Sequence, residues 1–186
     1  MTQPVHVGLV GMGTVGTGVV RVLQDSADHI ARQAGRPIRV NHVVVQDLKK
    51  PRSVELSGDQ LSDDLSRIVE NPSISVVAVL MGGLEPARSI CLELLRGGKD
   101  LVTANKALLA EHGPELFQAA REAGRSIAFE AAIGGGIPIV AAVSECLTGN
   151  RIASIRGILN GTSNFILTKM EQEGSEIGRA SCRERV

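Results

Sequence analysis

An α/β architecture, with a doubly wound parallel sheet, is what these 186 residues predict, and three observations carry that expectation. A short apolar strand, Val5-His6-Val7-Gly8-Leu9-Val10, runs straight into Gly11-Met12-Gly13-Thr14-Val15-Gly16 and then into a helix. Further apolar runs recur at 38–45 and 74–80, with shorter ones at 100–103 and 126–129, as buried parallel strands require. Helical patterns with short links fill the intervals, and β-α-β-α alternation with right-handed crossovers winds into one sheet.

Each element has its own local cause. In the first helix Val15, Val19, Val22 and Leu23 fall at i, i+4, i+7 and i+8, which predicts an apolar face toward the sheet. Gly11 permits the tight turn before it, Gly13 lets backbone approach a pyrophosphate, and Gly16 lets the helix pack closely on the strand. Strand, G-x-G-x-x-G and helix in register read as a dinucleotide-binding turn, against the alternative of a purely structural glycine-rich turn. Free N–H groups and a partial positive charge at the helix start suit phosphates.

Residues 33–37 form a polar turn, and 38–45 the second strand, with Val43, Val44 and Val45 at its buried heart. Residues 49–58 read as loop. Ser62-Asp63-Asp64 looks like the cap of a short helix reaching Val69, which Asn71-Pro72 breaks. After the strand at 74–80, Pro86 and Gly97 bracket a helix with Ala87, Ile90, Cys91, Leu94 and Leu95 on one stripe. A strand at 100–103 precedes a helix expected over 114–123, opened by Pro114 and closed by Gly124. The strand at 126–129 completes the sheet.

Composition narrows the function. The chain is 43% hydrophobic, with 20 Lys and Arg against 20 Asp and Glu, so no charge excess draws it to nucleic acid or a lipid surface. Trp and Tyr are absent, which removes base-stacking platforms. No apolar run approaches the ~20 residues of a membrane span, and the N-terminus lacks the basic and apolar regions of a signal peptide. Three widely spaced cysteines, Cys91, Cys146 and Cys182, argue against a disulfide framework or zinc site and suit a reducing cytoplasm. The four histidines show no metal-ligand spacing.

The topology places the carboxyl ends of the strands along one edge, where ligands bind in such sheets. The segments there are the Gly11 loop, Gln46-Asp47, Leu80-Met81-Gly82-Gly83, Thr103-Ala104-Asn105-Lys106 and 130–136. Asp47, ending the second strand, is placed to accept a ribose 2′-hydroxyl, further from the glycines than the usual ~20 residues. Lys49, Lys50 and Arg52 could instead hold a 2′-phosphate or be a solvated turn, so NAD against NADP stays open. Met81 and Gly82 join the cofactor-binding candidates. Lys106 stands in a helix's first turn, where the dipole disfavours a cation, after Asn105 as the cap. It could orient a substrate carbonyl or stabilise charge developing on oxygen. Glu130 followed by Gly134-Gly135-Gly136 could expose carbonyls to a hard monovalent cation, or simply carry the chain into a second domain.

Five collinear stretches, GLVGMGTVGTGVV, LMGGLEPA, LVTANKALLA, FEAAIGGGIPIV and GILNGTSNFILTKM, resemble homoserine dehydrogenase of the aspartate pathway. The resemblance implies a Rossmann-type sheet followed by the beginning of an α+β substrate and dimerisation domain. It further implies NAD(P)H-dependent reduction of L-aspartate 4-semialdehyde to L-homoserine in threonine and methionine biosynthesis, in a cytoplasmic homo-oligomer. Carried over residue by residue, Gly11, Gly13, Thr14, Val15 and Gly16 match the cofactor loop, and Lys106 matches a lysine beside nicotinamide and substrate. A sodium ion is implied around Glu130, Ile133, Gly135 and Ile137, and Asn160-Gly161-Thr162 helps shape the substrate side.

Two departures stand out. The family often ends its second strand in Arg-Asp, where this chain has Gln46-Asp47. The family also continues into a domain that carries acidic substrate residues and a second catalytic lysine. The expected division is therefore 1–132 for the cofactor domain, 133–174 for the start of a truncated catalytic domain, and 175–186 for a tail unlike the family. Apolar stretches at 137–143 and 152–167 would need covering, so poor solubility is expected. An NAD(P)-binding module without turnover is the alternative reading. A methyltransferase on the same fold is disfavoured by the TANK and GGGIP segments.

Overall fold

The computed structural model describes residues 3–157, 161–174 and 176–177, without the side chains of 161 and 162. Six strands form one sheet: β1 (Val5–Val10), β2 (Ile38–Val44), β3 (Leu61–Ser62), β4 (Ile74–Val79), β5 (Asp100–Thr103) and β6 (Ile127–Ala128). Their order is β3-β2-β1-β4-β5-β6 and every neighbouring pair is parallel. The order reverses between β1 and β4, which makes the carboxyl edge there the place where ligands bind in sheets of this topology.

Helices cover the sheet from both faces. On one face α3 (Ser66–Val69), α4 (Ala87–Arg96) and α5 (Lys106–Glu122) bury Ile68, Leu94, Leu95, Leu108 and Leu116 against Val10, Val77, Val79 and Leu101. On the other, α1 (Thr14–Asp25), followed by α2 (Ala27–Ala34), sets Val20 among Leu9, Val43, Val45 and Ala78. The stripe on α4 holds as the spacing predicts, with Ala87, Cys91, Leu94 and Leu95 essentially inaccessible. Burial pushes the Cys91 thiol up to about 12, which makes it a packing group rather than a nucleophile.

Three local expectations differ from the structure. The buried face of α1 is Gly16 and Val20, not Val15 and Val22, which are 54% and 56% exposed. Gly16 must lie against the Gly11 turn, so close packing at one glycine rotates the helix and turns the flanking valines outward. The helix after β5 begins at Lys106 rather than Pro114. Asn105 caps it through Leu108 N–H, and Leu108, Leu116 and Ala120 carry one buried face past Pro114, which is exposed. Between β2 and the short helix lies β3, so that Ser62 of the expected cap Ser62-Asp63-Asp64 pairs in the sheet, while Asp64 stays at the helix start. Val43 N–H donates to the Gln60 carbonyl and Val45 N–H to that of Ser62, while Asp64 Oδ1 accepts from Ser66 N–H.

The chain divides into two compact units, Met1–Ala132 and Ile133–Val186. The first holds the whole sheet. It closes on α6 (Glu130–Ile133), whose last residue falls in the second unit. The second contains α7 (Ile139–Ala141), a π-helical turn at Ala142–Cys146 and α8 (Gly161–Glu173). Ile137, Ile155 and Leu167 of this unit are 61%, 60% and 63% exposed. Asn160 and most of the tail, 175 and 178–186, lie outside the described residues.

Candidate functional site

The glycine loop sits at the carboxyl end of β1, in the middle of the sheet. Gly11 has φ +94°, a conformation that glycine alone adopts freely, and its N–H donates to the Val44 carbonyl at 2.9 Å. A Cβ on Gly11 would lie 3.0 Å from Met81 N, so the loops after β1 and β4 touch there. A Cβ on Gly16 would stand 2.3 Å from the Gly11 carbonyl oxygen, which no packing accommodates. At Gly13, by contrast, an added Cβ meets nothing within 4 Å. The space in front of Gly13 is open.

Gly13 is also the residue that starts α1, and no side chain caps the helix. Its first turn carries no acidic residue. The N–H groups of the first turn therefore keep their donors and the positive end of the dipole for a ligand. A cleft of about 430 Å³ opens here, lined among others by Gly13, Thr14, Thr17, Arg21, Lys50 and Arg52. Glycine backbone, an open helix start and three cations in one cleft fit a dinucleotide phosphate.

The loop after β2 is held by its own groups. Asp47 Oδ1 accepts the Lys49 N–H at 2.9 Å. The Arg52 guanidinium donates to the carbonyls of Asp47 at 2.5 Å and Lys50 at 2.9 Å, while its buried Nε has no partner. Arg52 therefore braces the loop around itself. Lys50 and Arg52 line the cleft, whereas Lys49 is exposed and lies outside that lining. Arg21 was not singled out from the sequence. It sits on α1 and donates to Ser53 Oγ at 3.0 Å, across 32 residues. Its only sequence signal is its position seven residues past Thr14, two turns along the same helix.

At the neighbouring strand ends, Thr103 Oγ1 donates to the Val79 carbonyl at 3.1 Å, and Asn105 N–H donates to Thr103 Oγ1 at 3.1 Å. These bonds tie the end of β5 to the end of β4 and put Lys106 at the head of α5, exposed. Met81 and Gly82 follow β4, beside Gly11. The structure thus gathers Gly11, Gly13, Thr14, Val15, Gly16, Asp47, Met81, Gly82 and Lys106 at one edge of the sheet, as parallel topology demands.

Of the residues considered for a cation, Glu130 belongs to the first unit, and Ile133, Gly135 and Ile137 to the second. Ile137 N–H donates to the Gly134 carbonyl, and the Ile137 carbonyl accepts from Ile139 N–H at 2.8 Å. Among the described residues no group of three or more His, Cys, Asp or Glu side chains could hold a metal. No helix among them is long and apolar enough to cross a membrane.

Comparison with known proteins adds the family. Residues 11–130 match the model of the homoserine dehydrogenase NAD-binding domain, and residues 138–182 match that of homoserine dehydrogenase. A homoserine dehydrogenase of Synechocystis is 49% identical over 172 residues, which are 92% of this chain and 39% of that protein. The crystal structure of a homoserine dehydrogenase from Thiobacillus denitrificans superposes with TM-score 0.85 at 46% identity, over 96% of this chain and 41% of that one. A hyperthermophilic archaeal homoserine dehydrogenase mutant, solved in complex with NADPH, gives TM-score 0.74 at 25% identity, over 96% and 59%. The chain spans about two-fifths of the length of the curated relatives it matches.

Proposed function

The chain belongs to the homoserine dehydrogenase family, and on that premise we propose that it binds NAD(P)H for the reduction of L-aspartate 4-semialdehyde to L-homoserine. The observation that carries the cofactor half of this reading is the cleft in front of Gly13. Its backbone is open, the helix start behind it is uncapped, and Arg21 and Lys50 stand on its walls.

The roles follow from position. N–H groups of the first turn of α1, beginning at Thr14, bind the pyrophosphate. The free oxygen of the Asp47 carboxylate accepts the adenosine ribose hydroxyl, and Arg21 and Lys50 are the cations available to a 2′-phosphate. When bound, the nicotinamide supplies a hydride to the aldehyde carbon. Lys106, at the head of α5, is the residue that would deliver a proton to the oxygen as negative charge develops there. Aldehyde, hydride and proton together would give the alcohol. Met81 and Gly82 bound the nicotinamide side of the crevice.

Three further expectations belong to the same reading. The sodium ion that the resemblance implies around Glu130, Ile133, Gly135 and Ile137 would draw on a carboxylate and on carbonyl oxygens, donors that suit a hard cation. The protein works in the cytoplasm as a homo-oligomer. The 186 residues on their own bind cofactor with little turnover, since the resemblance assigns further substrate-side groups to sequence beyond them.

Titrating the purified chain into NADPH and NADH, read by cofactor fluorescence, tests the proposal. The absence of Trp and Tyr keeps the protein background low. Saturable enhancement followed by no oxidation on adding the aldehyde is the expected result. No binding of either cofactor would sink the reading. Rapid oxidation would overturn the expectation of little turnover and show that these residues suffice for catalysis.

A further inference from the structure

Asn105 joins two segments that the sequence keeps apart. Its side-chain Nδ2 donates to the carbonyl of Met81 at 3.2 Å and of Gly83 at 2.7 Å. Its Oδ1 accepts the Leu108 N–H at 3.0 Å, which caps α5. Its own N–H is taken by Thr103 Oγ1. The residue is 8% exposed. Three of the four hydrogen-bonding positions of the carboxamide are thus occupied, by two different pieces of backbone.

No other side chain can do both tasks at this reach. Ser, Thr and Asp cap helices well but cannot donate twice to a pair of carbonyls. Gln has the right groups on a stem one methylene longer, in a site with little room. The 81–83 loop and the head of α5 also carry the groups named above for nicotinamide and proton delivery. Gly83 has φ +82°, so the loop turns back toward Asn105 by a conformation that favours glycine.

We propose that Asn105 is a positioning residue: its carboxamide clamps the 81–83 loop onto the first turn of α5 and so sets the nicotinamide side of the crevice against Lys106. This rests on the NAD(P)H reading. The clamp acts on one half of the cofactor only. The adenine half is held at Gly13 and α1, which Asn105 does not touch.

That division gives the test. Asn105→Asp and Asn105→Ser both retain an oxygen to cap α5 but lose the donor pair, and either suffices if the other fails to fold. The full chain and each variant are titrated with NADH, and with ADP-ribose, which has the pyrophosphate and adenosine but no nicotinamide. Loss of clamping weakens NADH about tenfold or more and leaves ADP-ribose within about twofold, with thermal melting still cooperative. Equal loss for both probes would mean a general structural role and overturn the inference. Unchanged NADH affinity would also overturn it. A wild-type chain that binds neither probe overturns the cofactor reading itself, and this inference with it.

Discussion

Gly13 and Gly16 stand three residues apart in one motif, yet their surroundings make opposite demands. Gly16→Ala would drive a Cβ into the Gly11 carbonyl oxygen at 2.3 Å, so it is expected to cost about 1–3 kcal/mol and lower the melting temperature. Gly13→Ala meets open space, so melting should be unchanged while NADH binding falls at least tenfold. Melting curves and titrations on the two variants separate fold from ligand, and a Gly13→Ala chain with normal affinity would remove the phosphate from this cleft. The cations divide in the same way. Arg52 spends its guanidinium on carbonyls of its own loop, whereas Arg21 reaches the cleft from α1. Arg21→Ala is expected to weaken NADPH about tenfold, the value of one charge-assisted contact to phosphate, and to leave NADH nearly unchanged. The glycines were legible because each is demanded by a local backbone event. Arg21 was not, since its partner Ser53 is 32 residues away.

Among the elements, α5 shows how packing overrides a strong local signal. Proline favours a helix's first turn, so Pro114 reads as a start, yet the helix begins at Lys106 and Pro114 lies inside it. The deleted bond is the one Ala110 would have accepted at its carbonyl, and Ala110 is exposed to water. Leu108, Leu116 and Ala120 bury the opposite side against the sheet, and that burial outweighs the defect. Pro114→Ala should therefore stabilise the fold. Proline in a helix interior costs about 3 kcal/mol relative to Ala, and removing it returns about 0.4–1 kcal/mol of entropy to the unfolded chain, leaving roughly 2 kcal/mol. A thermal melt no higher than wild type would mean that α5 is already relaxed around the proline. The stripe on α4 needed no such correction, because its bracketing residues and its periodicity agree. On α1 the period was right and its phase partly so: Val19 packs on the core, while Val15 and Val22 turn outward because Gly16, the smallest residue, must face inward.

For the molecule as a whole, pH and ligand report on stability in separable ranges. His42 is buried with Nε2 2.7 Å from Ser62 Oγ, and desolvation together with Arg67 holds its pKa below the ordinary 6.5. The unfolded chain therefore takes up this proton first. Stability is full above pH 6.5 and declines as pH falls from there toward the lower native value. Glu85 and Glu115, held low by the Ser89 hydroxyl and by Arg88 respectively, add their losses only below pH about 4.5. A His42→Gln chain should lose the upper slope in melts taken across pH 5–7, and retention of that slope would assign it elsewhere. NADH at a hundredfold excess over its dissociation constant should add about 2.7 kcal/mol to stability. The exposed Ile137, Ile155 and Leu167 should make the chain associate as its concentration rises, which light scattering measures. By itself the sequence determined the parallel sheet, its glycine turn and the edge on which the cofactor-loop candidates of the first unit lie. Those follow from short-range periodicity and from the requirement that parallel strands end on one side. Only the tertiary structure decided which face of α1 is buried, that Arg52 closes its own loop, that Arg21 enters the cleft, and that Asn105 spans from α5 to the 81–83 loop. The contacts of Arg21 and Asn105 join segments 22 to 32 residues apart, and even the local brace of Arg52 depends on the direction a side chain takes, which no pattern of residue types encodes.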